Sequence, residues 1–143
     1  MFAETLTQQL AIPVTPVHAQ TINNTTLDTV GVNMSKFERV MFLCDVGTNA
    51  ASASVIFKLQ DSPTVGGTYT DITGGATTAI TTASKIKTLE IRADQLNASA
   101  EFVRCRATES AAQVATITII PLAGFVRHRP ETDSTQVTER LVV

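Results

Sequence analysis

Apolar and polar residues alternate with a period of two along one stretch of this chain after another, and that periodicity points to β-strands. From Ala51 to Gln60, Ala53, Val55, Phe57 and Leu59 fall on one side. Ser54, Lys58 and Gln60 fall on the other, with Ile56 among them. Ile86 to Arg92 places Leu89 and Ile91 on a core side, and Phe102 to Thr108 turns Val103, Cys105 and Ala107 in and Arg104 and Arg106 out. In Phe37 to Val46, Val40, Phe42, Cys44 and Val46 share one face while Met41 and Leu43 occupy the other. A strand apolar on both faces is expected to be covered on both. Residue usage agrees: Thr is about one residue in six, and Val, Ile and Ala supply most of the apolar part. Thr, Val and Ile are stiff at χ1 and fit a pleated, half-buried surface better than a helix.

Turn signals divide the chain into about eight short strands. Strands are predicted at His18 to Ile22, Leu27 to Val32, Phe37 to Val46, Ala51 to Gln60, Tyr69 to Ile72, Ile86 to Arg92, Phe102 to Thr108 and Gln113 to Pro121. Ala76 to Ile80 reads as a weaker one. Gly74-Gly75 is expected to break the chain, and Ala93 to Ala100 to hold one helical turn capped by Asp94. This spacing predicts an all-β chain, a single antiparallel β-sandwich of jelly-roll type. Residues 1–16 read as an N-terminal arm, 17–127 as the sandwich and 128–143 as an extended C-terminal tail. Phe2, Leu6 and Leu10 recur at four-residue spacing before Pro13 and Pro16 forbid a helix. Arg127 leads into the tail, which opens on His128 and Arg129 and ends on Arg140, Leu141, Val142 and Val143; such a tip is stable only on a sheet edge or in a groove.

The net charge is −2 and 17% of residues are charged. With no basic excess to neutralise phosphates, nucleic acid is not an expected partner. The N-terminus has no basic, apolar leader pattern and no apolar run approaches the ~20 residues of a membrane span, so synthesis in the cytoplasm and no membrane partner are expected. Cys44 and Cys105 lie within strands among apolar neighbours and are expected to be free, buried thiols, with a disulfide between the two strands as the alternative.

No catalytic constellation stands out. The histidines, His18 and His128, lie near the two ends, away from the inter-strand loops where a sandwich would display a site. Cysteines and histidines are not at zinc-ligand spacing. Asp61 and Asp71 flank a Gly-rich loop, where turn capping is expected ahead of calcium ligation. Gly66-Gly67 and Gly74-Gly75 lack the helix and Lys of a phosphate loop. Arg104 and Arg106, with Lys85 and Lys87, are expected on outer strand faces, solvated or paired with Glu90 and Glu101. With no Trp and one Tyr, Tyr69 is the sole amphipathic aromatic for a sugar. The chain is therefore expected not to be an enzyme and to use no metal or cofactor.

Three stretches carry a resemblance: Phe37-Glu-Arg-Val-Met-Phe-Leu-Cys-Asp-Val-Gly47, Val55-Ile-Phe-Lys-Leu-Gln-Asp-Ser62 and Gly67-Thr-Tyr-Thr-Asp-Ile-Thr-Gly74. Together with Phe102-Val-Arg-Cys-Arg106 and Val114-Ala-Thr-Ile-Thr-Ile-Ile120, this pattern resembles small tailed-bacteriophage virion proteins encoded near the major capsid protein. The loop Pro63-Thr-Val-Gly-Gly67 departs from the Asp-Gly of that pattern. The resemblance implies a capsid decoration (cement) protein on the virion surface, with the major capsid protein as partner and a homotrimer as the favoured assembly. Its anchors would be Phe2, Leu6, Leu10, Arg127, Arg129, Arg140, Leu141, Val142 and Val143. A head–tail connector or tail component is the first alternative. The hairpin from Leu59 to Ile72 is also shared with galactose-binding-like sandwiches, which makes a glycan-binding module the second.

Overall fold

The computed structural model describes residues 10–126, which form two antiparallel sheets packed face to face. The strands are β1 (Leu10–Ala11), β2 (Val17–Ile22), β3 (Thr26–Asp28), β4 (Val32–Asn33), β5 (Phe37–Asn49), β6 (Val55–Ser62), β7 (Thr70–Ala76), β8 (Lys85–Arg92), β9 (Phe102–Glu109) and β10 (Ala115–Val126). In the first sheet β1 and β2 share one edge of β10, followed by β5 and β8. In the second, β3 and β4 share one edge of β9, followed by β6 and β7. Pro121, with no N–H to donate, falls in the gap between the β2 and β1 pairings of β10.

The core is what the alternation specifies. Val40, Phe42, Cys44 and Val46 of β5, with Ile117 and Ile119 beside them on β10, face Val55, Phe57 and Leu59 of β6 and Val103, Cys105 and Ala107 of β9 in one buried cluster. Leu89 and Ile91 of β8 close it at one edge. The other face of β5 is not fully covered: Met41 and Leu43 are half-buried.

Several local expectations are corrected. The predicted strand Leu27 to Val32 is two strands, because Thr29 interrupts it. The Thr29 amide donates to Cys105 O, and its Oγ1 accepts from Cys105 N, both at 3.0 Å. A hydroxyl thus stands in for a ladder carbonyl, and the extra residue is absorbed as a bulge. Gly74-Gly75 does not break the chain but lies inside β7, where Asp71 pairs with Gln60 and Ala76 with Lys58. The register shifts between those two pairs, and Gly74, at φ +76°, supplies the left-handed residue of the resulting bulge. In place of the weak strand at 76–80, Thr77 N donates to Phe57 O and Ile80 makes an isolated bridge to Val55. Asp94 is not a helix cap: Ala93–Gln95 is a 3-10 turn entered at Arg92, whose amide donates to Gln95 Oε1.

Two buried carboxylates hold the loops at opposite ends of the second sheet. Asp61 Oδ1 accepts from the Thr70 hydroxyl and Asn97 Nδ2, and Oδ2 from the Asn97 amide at 2.7 Å. Glu109 accepts four backbone amides, from Asn24, Ser54, Ala111 and Gln113. Burial alone would raise the Glu109 pKa, but the four amides outweigh it and hold the carboxyl below its ordinary value. A folded-state pKa below the unfolded one stabilises the fold fully above the unfolded value, about 4.3, and that share is lost as pH falls through the folded value. The melting temperature should therefore drop as pH is lowered from 5 towards 3. Glu109→Gln should melt lower at pH 7 and show a shallower acid slope in calorimetry; an unchanged slope would contradict this assignment.

Candidate interaction faces

The outer face of the second sheet is a closed polar network. Arg106 Nε and Nη2 donate to the two Asp28 oxygens at 2.6 and 2.7 Å, and Arg104 Nη1 lies 3.1 Å from Asp28 Oδ2. Arg104 also donates from Nε and Nη2 to Gln60 Oε1. Gln60 passes the chain on to Asp71, which takes Lys58 on its second oxygen at 2.8 Å. These donors from Lys58 and Gln60 hold the Asp71 carboxyl below its usual range. The expected pairing of the arginines with Glu90 and Glu101 is not the one found. β9 lies beside β3, which carries Asp28, whereas Glu90 is in the other sheet and pairs with Arg39 at 2.8 Å.

Tyr69 lies across this network with the Arg104 guanidinium 4.1 Å from its ring centroid. Its hydroxyl donates to Val65 O at 3.1 Å. Burial raises the Tyr69 pKa against the opposing pull of Arg104. A side chain at Gly31 would collide with the Tyr69 hydroxyl, so glycine there lets the ring lie flat. The exposed Val30 and Val65 flank the patch. Arg104 and Tyr69 are thus already committed to partners within the chain.

The outer face of the first sheet is different in kind. Strand register lays out three rows across β10, β5 and β8: Leu122–Met41–Glu90, Ile120–Leu43–Thr88 and Thr118–Asp45–Ile86. Leu122, Met41, Ile120 and Leu43 are half-buried neighbours at its centre, and Ile86 is 61% exposed at its margin. Asp45, between Thr118 and Ile86, is half-buried and makes no side-chain hydrogen bond or ion pair among the described residues. Lys85 and Lys87, expected outside, share the inward parity of Leu89, and Lys87 Nζ reaches Thr78 Oγ1 at 3.4 Å. Ile86 takes the outward parity of Thr88, Glu90 and Arg92 and is exposed for that reason.

Of the predicted anchors, the structure places Leu10: it pairs with Gly124 in the row beyond Leu122. Phe2, Leu6, Arg127, Arg129, Arg140, Leu141, Val142 and Val143 lie outside the described residues, as does His128. Because β1 runs beside the end of β10, residues 10 and 126 stand at one corner of the first sheet. Residues read as arm enter the fold from Leu10 onwards: Ala11 is buried and Val14 packs on the core.

His18 is exposed on β2, and its ring has no hydrogen-bond or ionic partner among the described residues. Asp61 and Asp71 do not converge; the first turns into the molecule and the second outward. Among the described residues no group of three metal-ligating side chains comes together. A shallow depression of about 300 Å³ is lined by Glu38, Arg39, Arg92 and Asp94, whose charges are largely paired with one another and with Glu90. No helix among the described residues is long and apolar enough to cross a membrane. No protein-family model matches the chain, and no curated protein matches it. What sequence reasoning missed here is Asp28 as the arginine partner and Asp45 as an unpaired carboxylate. The pattern Leu27-Asp28-Thr29 carried a faint signal for the first; nothing local marked the second.

Proposed function

We propose that this chain is a non-enzymatic structural protein of a tailed-phage particle, docking on the outer capsid surface and clamping neighbouring subunits. The observation that carries the reading is the contrast between the two outer faces. The second sheet's polar groups satisfy one another. The first sheet presents an apolar quartet, an exposed Ile86 and an unpaired Asp45, beside the corner to which both terminal segments are joined. Weakly charged apolar surface of this kind suits contact with another protein, since little charge must be desolvated. The order β2–β10–β5–β8 over β3/β4–β9–β6–β7 supports a jelly roll, an architecture shared by viral capsid and lectin domains. The strand-and-turn resemblance to capsid decoration proteins points the same way.

On this reading the partner is the major capsid protein, the favoured assembly a homotrimer, and the anchors the apolar side chains of both terminal segments. A protein that binds the assembled shell and not the dispersed subunits stabilises the shell. Each apolar anchor fully buried contributes about 1.5–3 kcal/mol. Deleting Arg140 to Val143 should therefore weaken particle retention tenfold or more with the melting temperature unchanged. Copy number in purified particles tests the assignment itself. Hundreds of copies over the shell support decoration, a dozen at one vertex means a connector, and absence from particles rejects the virion reading.

Glycan binding is the second reading, favoured by Tyr69 held flat beside the exposed Val30 and Val65. It requires Tyr69→Ala to abolish sugar binding by the isolated protein.

A further inference from the structure

Cys44 stands in the middle of β5 and Cys105 in the middle of β9, so they belong to opposite sheets. Both are fully buried, and their Sγ atoms approach to 3.6 Å across the core. Their strands hold them firmly: Cys44 is paired with Ile119 and Lys87, Cys105 with Leu59, and Thr29 closes the Cys105 amide. A disulfide needs the sulfurs about 1.5 Å closer, within reach of a χ1 adjustment and a slight approach of the sheets.

We propose that Cys44 and Cys105 form a covalent modification site, an inter-sheet disulfide made by exchange with a small-molecule disulfide such as oxidised glutathione. One cysteine loses its proton, and its thiolate attacks the glutathione disulfide. That step forms a mixed disulfide and releases one glutathione thiolate. The second cysteine then loses its proton and attacks the mixed disulfide, closing the Cys44–Cys105 bond and releasing the other glutathione. Two protein thiols are oxidised, one small disulfide is reduced, and the two protons leave on the two glutathione thiols.

Burial decides when this happens. Neither sulfur is open to solvent, so the reagent reaches them only in an opened or folding chain. The hydrogen bond with Cys44, and then burial, also raise the Cys105 pKa and hold that thiol protonated in the folded state. The closed bond joins positions 61 residues apart and ties two sheets otherwise held by side-chain packing. The fold is thus unlocked in reducing surroundings and locked if it folds or breathes in oxidising ones. The inference is independent of the virion reading.

The test uses the full chain, refolded from urea in oxidised glutathione or incubated folded in the same buffer. Refolding should give monomer about 2 Da lighter with no free thiol, melting about 10 °C higher than the reduced form and restored by dithiothreitol. The folded protein should react at least 100-fold more slowly, and Cys44→Ala should show no melting shift with oxidant. Two free thiols after refolding, bridges between chains in place of within them, or an oxidised form that melts lower would each overturn the proposal.

Discussion

Phe42→Ala should lower the unfolding free energy by about 3–5 kcal/mol, the cost of removing a large apolar group and leaving a cavity. Phe42 has no exposed surface and lies on β5 between Pro121 of β10 and Leu89 of β8. Its ring fills the inter-sheet space where both neighbours are also held in register, so the site has little freedom to collapse. Urea denaturation should show the midpoint falling with the slope unchanged. Met41→Ala, one residue away on the half-buried outer face, should cost about 1 kcal/mol or less. Equal losses for the two would mean that the inner face of β5 is not the packed one.

Asp61→Ala is expected to cost about 3 kcal/mol, because hydrogen bonds to a buried charge are each worth about 1.5–3 kcal/mol and the groups left behind stay desolvated. The carboxylate serves the Thr70 hydroxyl and both nitrogens of Asn97, 36 residues away in sequence. It therefore ties the turn entering β7 to the loop entering β9. Hydrogen exchange at the Asn97 amide should rise far more than at the buried centre of β9. Asp61→Asn, which keeps the shape and one acceptor oxygen, should lose about half as much. An unchanged Asn97 exchange rate in Asp61→Ala would sink the assignment.

The contrast between the outer faces bears on how such a protein can be specific. A surface whose polar groups are already paired offers a partner little new bonding energy, whereas an apolar face next to an unpaired carboxylate rewards a partner with matching shape and a cation. Asp45 would then select for a basic group at its position, which is a property of the first sheet alone.

Much of the fold was legible in the residues. The period of two tells which side each residue of a strand takes, and every inward assignment on β5, β6, β8 and β9 is buried in the structure. Partners were not legible, because a period specifies a face and says nothing of which strand lies alongside. Arg104 and Arg106 needed β3 beside β9 to find Asp28; read locally, Glu90 and Glu101 looked equally available. Asp61 and Asp71 flank one loop, yet pleating sends them to opposite faces. The Gly74-Gly75 pair looked like a break because composition cannot distinguish a chain end from a bulge that β6 keeps paired. The sequence by itself determined an all-β chain with a set inner face for its principal strands, since side-chain direction follows from backbone period alone. Only the tertiary structure decided which carboxylates meet which arginines, that Cys44 meets Cys105, and that Met41, Leu43, Ile120 and Leu122 form one face. Each of those needs residues far apart in sequence to be brought together by strand order, which long-range packing sets.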